Sequence, residues 1–259
     1  MNLSYHWLQE LVPFDLSPEA LAAELTRVGC CVEELHPVGE DTMLVAEVTT
    51  NRPDWLCHWG VAHEIAAFAG LELRLPEIQL PEPGEARIED LTGVVNEAED
   101  LCPRYTARLI QGVRVAPSPA WLQARLNAVG IKPRNNVVDI TNLILVEMNQ
   151  PLHAFDFDRL ADRRIVVRRA RNGEPFVSVF DEERTLDAEM CVIADGEGPV
   201  ALAGIKGGRG SAVTDGTANV LLEAAYFDPG STRRASRRAQ LDSDSSYRFE
   251  RGIDPGGVE

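Results

Sequence analysis

The residues best placed to do chemistry are His153, Glu223 and the glycine-rich run Ala203-Gly204-Ile205-Lys206-Gly207-Gly208-Arg209-Gly210. Glu223 ends the apolar run Val220-Leu221-Leu222 and precedes Ala-Ala-Tyr-Phe, so it falls inside a strand that reads as buried. A buried carboxylate is costly unless paired. Two roles fit it equally: structural ion-pair partner, or acceptor facing a polar ligand atom. His153 follows Pro151 at what the pattern reads as the end of a helix, among Leu152, Ala154 and Phe155. A satisfied structural histidine is the ordinary reading of that setting. The glycine run fits neither G-x-G-x-x-G nor a phosphate loop ending in Gly-Lys-Ser/Thr. Its glycines allow a ligand close to the backbone, but they also make ordinary turns. Arg233, Arg234, Arg237 and Arg238 share an expected helix and form the one dense basic patch. They suit either a phosphate contact or a solvated face paired with Asp242 and Asp244. His58 and His63 are five apart, off the i, i+4 spacing that shares a helix face, and no metal site is assigned to them or elsewhere.

The elements that must position these groups sit in a chain of 259 residues with a net charge of −16. That length serves one large domain or two ordinary ones. The acidic balance excludes a protein that grips nucleic acid with its whole surface, so any RNA contact must be local. Five cysteines, with a vicinal pair at Cys30 and Cys31 and no C-x-x-C, suggest buried reduced thiols. The N-terminus lacks a signal-peptide pattern, and no apolar run approaches the ~20 residues of a membrane span. The chain reads as soluble and cytoplasmic, with no membrane partner.

The pattern predicts an α+β fold. Ser17 caps and Pro18 opens a helix that Gly29 closes. Thr42–Thr49 reads as a strand. Asn51-Arg52-Pro53-Asp54 caps a second helix running to about Phe68 and stopped by Gly70. Residues 76–101 hold eight acidic residues and one basic one and read as a connector. The expected domains are therefore a small, mainly helical α+β unit at 1–85 and a larger mixed-sheet unit at 86–259. In the latter, a strand runs from Tyr105 to Val113. Ser118-Pro119 begins a helix ending at Gly130, and another covers 137–148. Strands follow at 165–168, 174–179, 190–194, 200–203 and 219–224, then a helix at 231–240.

Several segments resemble the beta subunit of bacterial phenylalanyl-tRNA synthetase. They are Glu47-Val-Thr-Thr-Asn51-Arg-Pro-Asp54, Asn135-Asn-Val-Val-Asp139-Ile-Thr141-Asn142, Gln150-Pro-Leu-His153-Ala-Phe-Asp156, Ala203-Gly204-Ile-Lys-Gly207-Gly208, Leu222-Glu223-Ala-Ala-Tyr-Phe-Asp228-Pro229 and Tyr247-Arg248-Phe-Glu250-Arg251-Gly252. The resemblance runs along essentially the whole chain. It implies an N-terminal B1-like domain followed by a B3/B4 editing domain. Most bacterial members carry an OB-fold insert after the first ~40 residues; here Pro37-Val-Gly-Glu-Asp41 bridges that point directly.

What the resemblance implies is hydrolysis of tyrosine wrongly attached to tRNA(Phe), with no aminoacylation site in this chain. A pocket fitted to phenylalanine cannot strongly reject the same ring bearing a hydroxyl, so a second site that hydrogen-bonds the phenol is needed. Carried over, Glu223 accepts from the tyrosine hydroxyl, and His153 holds the ring or orders the attacking water. Thr141, Ala203, Gly204, Gly207, Ser243 and Ser245 line the pocket, and the arginine helix touches tRNA. The family commonly has Thr-Asp-Ala-Ser where this chain has Ser243-Asp244-Ser245-Ser246, which puts a hydroxyl where an alanine would abut the ring. The partners implied are tRNA(Phe) and the alpha subunit of an alpha2beta2 enzyme. ATP and Mg2+ would serve only the complete synthetase, with no cofactor in this chain. Two other functions stand beside this one: a non-catalytic tRNA-binding or assembly module, and a free-standing trans-editing factor.

Overall fold

A computed structural model describes residues 1–74, 76, 78–80, 84 and 86–258. In chain order it forms β1 (Asn2–Ser4), α1 (Tyr5–Leu11), α2 (Pro18–Arg27), β2 (Cys31–Val38), β3 (Asp41–Glu47), α3 (His58–Ala69) and α4 (Ile88–Leu91). Then come β4 (Gly93–Asn96), β5 (Arg104–Gln111), α5 (Ala120–Ala128), α6 (Asn136–Met148), β6 (Leu152–Asp156), β7 (Arg164–Arg169), β8 (Glu174–Val177) and β9 (Glu183–Leu186). The remainder is β10 (Cys191–Ala194), β11 (Pro199–Leu202), β12 (Lys206–Gly207), β13 (Asn219–Tyr226), α7 (Pro229–Ala239) and α8 (Asp244–Phe249). Helices and sheets segregate without βαβ alternation, which is an α+β fold.

Two compact units are built from interleaved segments: Met1–Pro81 with Pro117–Asn149, and Glu82–Ala116 with Gln150–Glu259. A single boundary near residue 85 therefore does not describe the packing, and residue 85 itself lies outside the described residues. The reason is physical. Val129, at the end of α5, and Val146 on α6 are buried in the same cluster as Trp7, Leu21, Leu44 and Ile65, so this helix pair completes the first core.

The first unit folds on an antiparallel sheet ordered β1-β3-β2. Gly39 and Glu40 connect β2 to β3 as a direct hairpin, with Val38 paired to Asp41 and Gly39 at φ +62°. The Ser17 cap and the Gly70 stop both appear: Ser17 Oγ accepts from Ala20 N, and Gly70 takes the left-handed conformation. The second expected helix begins later than its turn motif suggested. Pro53–Trp55 forms a separate 3-10 turn, and α3 starts at His58 with Cys57 as its cap. Gly60 permits this corner, because any Cβ there would overlap the carbonyl of Asp54. Ser118 does not cap α5; Pro119 holds that position, and Ser118 Oγ donates to the buried Asp139.

The second unit divides its strands among a five-stranded sheet β12-β11-β10-β7-β4, a three-stranded sheet β5-β13-β6 and the hairpin β8-β9. The largest is mixed, since β4 runs parallel to β7 while its other pairs are antiparallel. β10 (Cys-Val-Ile-Ala) is buried on both faces, as a continuous apolar run requires. Cys191 and Ile193 join Phe155, Leu221, Ala225, Phe227 and Phe249 in one core cluster. Val192 and Ala194 join Ala235, Ala239 and Leu241 in another. The small residues Ser231, Thr232, Ala235, Ser236 and Ala239 form the buried face of α7.

Candidate functional site

His153 lies in strand β6, not at a helix end: the helix stops at Met148, Asn149 takes the left-handed cap, and the chain turns extended after Pro151. Antiparallel pairing sets His153 directly opposite Glu223 on β13, and Glu223 opposite Ala107 on β5. Opposed residues of an antiparallel pair share a face, so the imidazole and the carboxylate stand side by side on the surface that carries Phe155, Leu221 and Ala225. Glu223 is 7% exposed. Burial raises its carboxyl from 4.5 to about 7, opposed by a hydrogen bond from Tyr105. That bond is short and direct: Tyr105 Oη donates to Glu223 Oε2 at 2.8 Å. The partner of this buried carboxylate is thus a phenol and not a cation.

His153 is half-buried, yet its Nε2 is sealed and has no hydrogen-bond partner among the described residues. Desolvation lowers its pKa to about 4, leaving the ring neutral at physiological pH. The ring packs edge-on against Phe155 at 4.4 Å between centroids. Gly207 lies against its other side, where any Cβ would overlap Cε1. The glycine is there because the ring is there.

The neighbouring residues divide by what they touch. Gly204 has φ +68°, and a Cβ on it would come within 2.8 Å of Phe227 and 3.0 Å of Phe249. It seats the edge-on Phe227–Phe249 pair, whose centroids are 5.0 Å apart. Ala203 is buried in the same core. Ser243 caps α8 in a reciprocal capping box with Ser246 and donates through Oγ to Ile205 O at 2.7 Å, which ties α8 to the glycine turn. Ser245 is half-buried in the first turn of α8. Thr141 belongs to the first unit, on α6, where Oγ1 donates to Val138 O.

All four arginines of α7 are exposed. Arg238 pairs with Asp187, not with Asp242 or Asp244. Arg233, Arg234 and Arg237 have no ion-pair partner among the described residues. The Tyr247–Gly252 segment is a packing element: Arg248 is buried and donates to Asp244 O, and Arg251 stacks on Tyr247 at 3.3 Å. His58 is also structural. Its Nε2 accepts from Ser4 N, its Nδ1 meets Val146 O at 2.8 Å, and burial lowers its pKa to about 4. Four thiols are buried, and Cys31 is exposed.

Tyr105 is the site residue that the sequence did not yield. It opens an unremarkable alternating strand, and its bond to Glu223 closes across 118 residues. The one usable signal was that a carboxylate inside an apolar strand needs a donor, and a tyrosine on a neighbouring strand can supply it.

These groups all lie within the stretch that the B3/4 domain model matches, residues 101–259, more than half the chain, and the chain belongs to that family. The sequence relatives it matches are phenylalanine--tRNA ligase beta subunits. The chain is 51% identical to that subunit of Moorella thermoacetica over 247 residues, 95% of this chain and 29% of the relative. It is 45% identical to that of Rhodopirellula baltica over 259 residues, 100% of this chain and 38% of the relative. It thus spans about a third of the length of these curated relatives. The match to the B3/4 domain includes α5 and α6, which pack with the first unit. An N-terminal fragment of the phenylalanyl-tRNA synthetase beta-subunit from Pyrococcus horikoshii aligns with 93% of this chain and 74% of its own, at 18% identity and a TM-score of 0.47. That likeness is too low to carry an argument. Among the described residues, no helix is long and apolar enough to cross a membrane.

Proposed function

We propose that the second unit hydrolyses the ester of tyrosine wrongly attached to tRNA(Phe), as the editing part of a phenylalanine--tRNA ligase beta subunit. The observation that carries this reading is the pairing of Glu223 with His153 on one sheet face, with Gly207 packed against the ring where no Cβ would fit. Glu223 already accepts a hydrogen bond from one phenol, and a substrate phenol presents the same chemistry. Phenylalanine would leave the second oxygen of that carboxylate unpaired, which is the basis for sparing it.

His153, neutral at physiological pH, contacts the ring or orders water through the part of its imidazole that stays accessible, Nε2 being sealed, and does not serve as a strong base. The aminoacyl ester is already activated, so a positioned water suffices for attack at the carbonyl carbon. The bond to the ribose oxygen then breaks, and that oxygen takes the proton. Ala203, Gly204, Gly207, Ser243 and Ser245 shape the surround, and Thr141 is assigned to the pocket by resemblance alone. The exposed arginines of α7 contact tRNA phosphates. In the complete cytoplasmic enzyme this subunit would assemble with the alpha subunit, and ATP and Mg2+ would serve aminoacylation there.

The test is deacylation of Tyr-tRNA(Phe) beside Phe-tRNA(Phe). Glu223→Ala is expected to lose tyrosine-over-phenylalanine selectivity, because the acceptor for the phenol and the penalty on phenylalanine go together; unchanged selectivity sinks the recognition role. The low basicity of His153 favours one alternative, a non-catalytic tRNA-binding or assembly module. That reading stands if the unaltered chain releases no tyrosine selectively.

A further inference from the structure

The editing reading assigns tyrosine recognition to Glu223 but leaves open what holds that carboxylate. Its surroundings are informative. The ionisable groups facing it are Tyr105 on β5, His153 on β6, Cys191 on β10 and Cys102, which precedes β5. His153 is neutral, and burial raises both thiols, Cys191 to about 12. No cation is among them. The one hydrogen bond to the carboxylate among the described residues comes from Tyr105. Tyr105 is opposite Ala225, two residues beyond Glu223, so its ring stands on the same face and its hydroxyl reaches diagonally to Oε2.

We propose that Tyr105 is the specificity-positioning residue of this site: its phenol pins Glu223 through Oε2 and leaves Oε1 as the fixed acceptor for the substrate phenol. The role rests on the editing reading above. A carboxylate offers about four acceptor directions over two oxygens. Pinning one oxygen fixes the plane of the group and therefore where the other oxygen points. A freely turning glutamate could swing away from a phenylalanine ring and escape the penalty of an unpaired oxygen. A pinned one cannot, so the penalty falls on the wrong substrate. The same bond favours the ionised carboxylate, which accepts and does not donate.

Tyr105→Phe removes one oxygen and keeps the ring. Two measurements on the full chain test the proposal: the pH titration of the Glu223 carboxyl by carbon-13 NMR, with Glu223→Gln to assign its signal, and deacylation of Tyr-tRNA(Phe) and Phe-tRNA(Phe) across pH. In Tyr105→Phe the Glu223 midpoint should move above its starting value. Tyrosine-over-phenylalanine selectivity should fall about ten-fold at neutral pH and recover partly as pH rises and the carboxylate reforms. A merely structural tyrosine would not move that pH profile. An unchanged midpoint or unchanged selectivity overturns the proposal. So does faster tyrosine release, which would mean that Tyr105 competes with the substrate for the carboxylate. An unaltered chain lacking tyrosine-selective release overturns the editing reading, and the specificity role with it. An active unaltered chain with an indifferent Tyr105→Phe overturns the role of Tyr105 alone.

Discussion

At the residue scale, Glu223 and His153 are perturbed in opposite senses by the same burial. The folded carboxyl keeps its proton to about pH 7 while an unfolded one loses it near 4.5, so this group withdraws stability as pH rises through that window. The folded imidazole stays neutral down to about 4, and an unfolded one takes a proton below 6.5, so His153, like His58, withdraws stability as pH falls through that range. Glu223→Gln keeps an acceptor for Tyr105 and removes the charge. It should stabilise the protein above pH 7 by up to ~3 kcal/mol and have little effect near pH 4. Urea unfolding at the two pH values checks this, and an equal difference at both would show that burial of the charge is not the cause. Glu223 was legible in the sequence because a carboxylate in an apolar run is anomalous wherever it folds. Tyr105 was not, because a tyrosine opening a strand is ordinary, and only β-sheet register reveals what it meets.

At the scale of elements, α7 separates its two faces cleanly: small residues pack inward, and four arginines face solvent. Replacing Arg233, Arg234 and Arg237 with alanine leaves the buried face intact, so the fold should persist. If these side chains neutralise RNA phosphates, the slope of log affinity against log salt should drop by about two to three. Fluorescence anisotropy with tRNA over a range of salt reads this directly, and an unchanged slope removes α7 from the interface. This helix was legible because its arginines recur with helical period; it begins two residues before the expected 231, at Pro229 behind the Asp228 cap. The Ser17 and Gly70 boundaries were legible because their signals are local. Strand β6 was not. Its five residues pair with β13, more than sixty positions onward, and Pro151 next to a helix end masked the change to extended backbone. Strand β1 escaped too, because its partner β3 is far along the chain, and so did the reciprocal cap of α8, which is local but has a serine where Glu or Gln is usual.

At the scale of the whole molecule, the net charge of −16 is a standing self-repulsion. Moving from low salt to physiological ionic strength should raise the melting temperature, with each kcal/mol of relief worth about 2–4 °C for a chain this long. Scanning calorimetry at graded salt would record it, and a flat or falling response would mean that local ion pairs outweigh the net repulsion. The division into units was the least legible property, because the Pro117–Asn149 helix pair returns to the first core only after the chain has begun the second unit. That interleaving governs the order in which the protein can be made. On the ribosome the first core lacks Val129 and Val146 until residues near 149 emerge, while β5, already synthesised, must wait for β13 before its sheet can close. Each unit therefore spends part of synthesis as an open half. A cut at any single point from Glu82 to Asn149 divides at least one unit, so the two must be inherited, expressed and recombined as one piece.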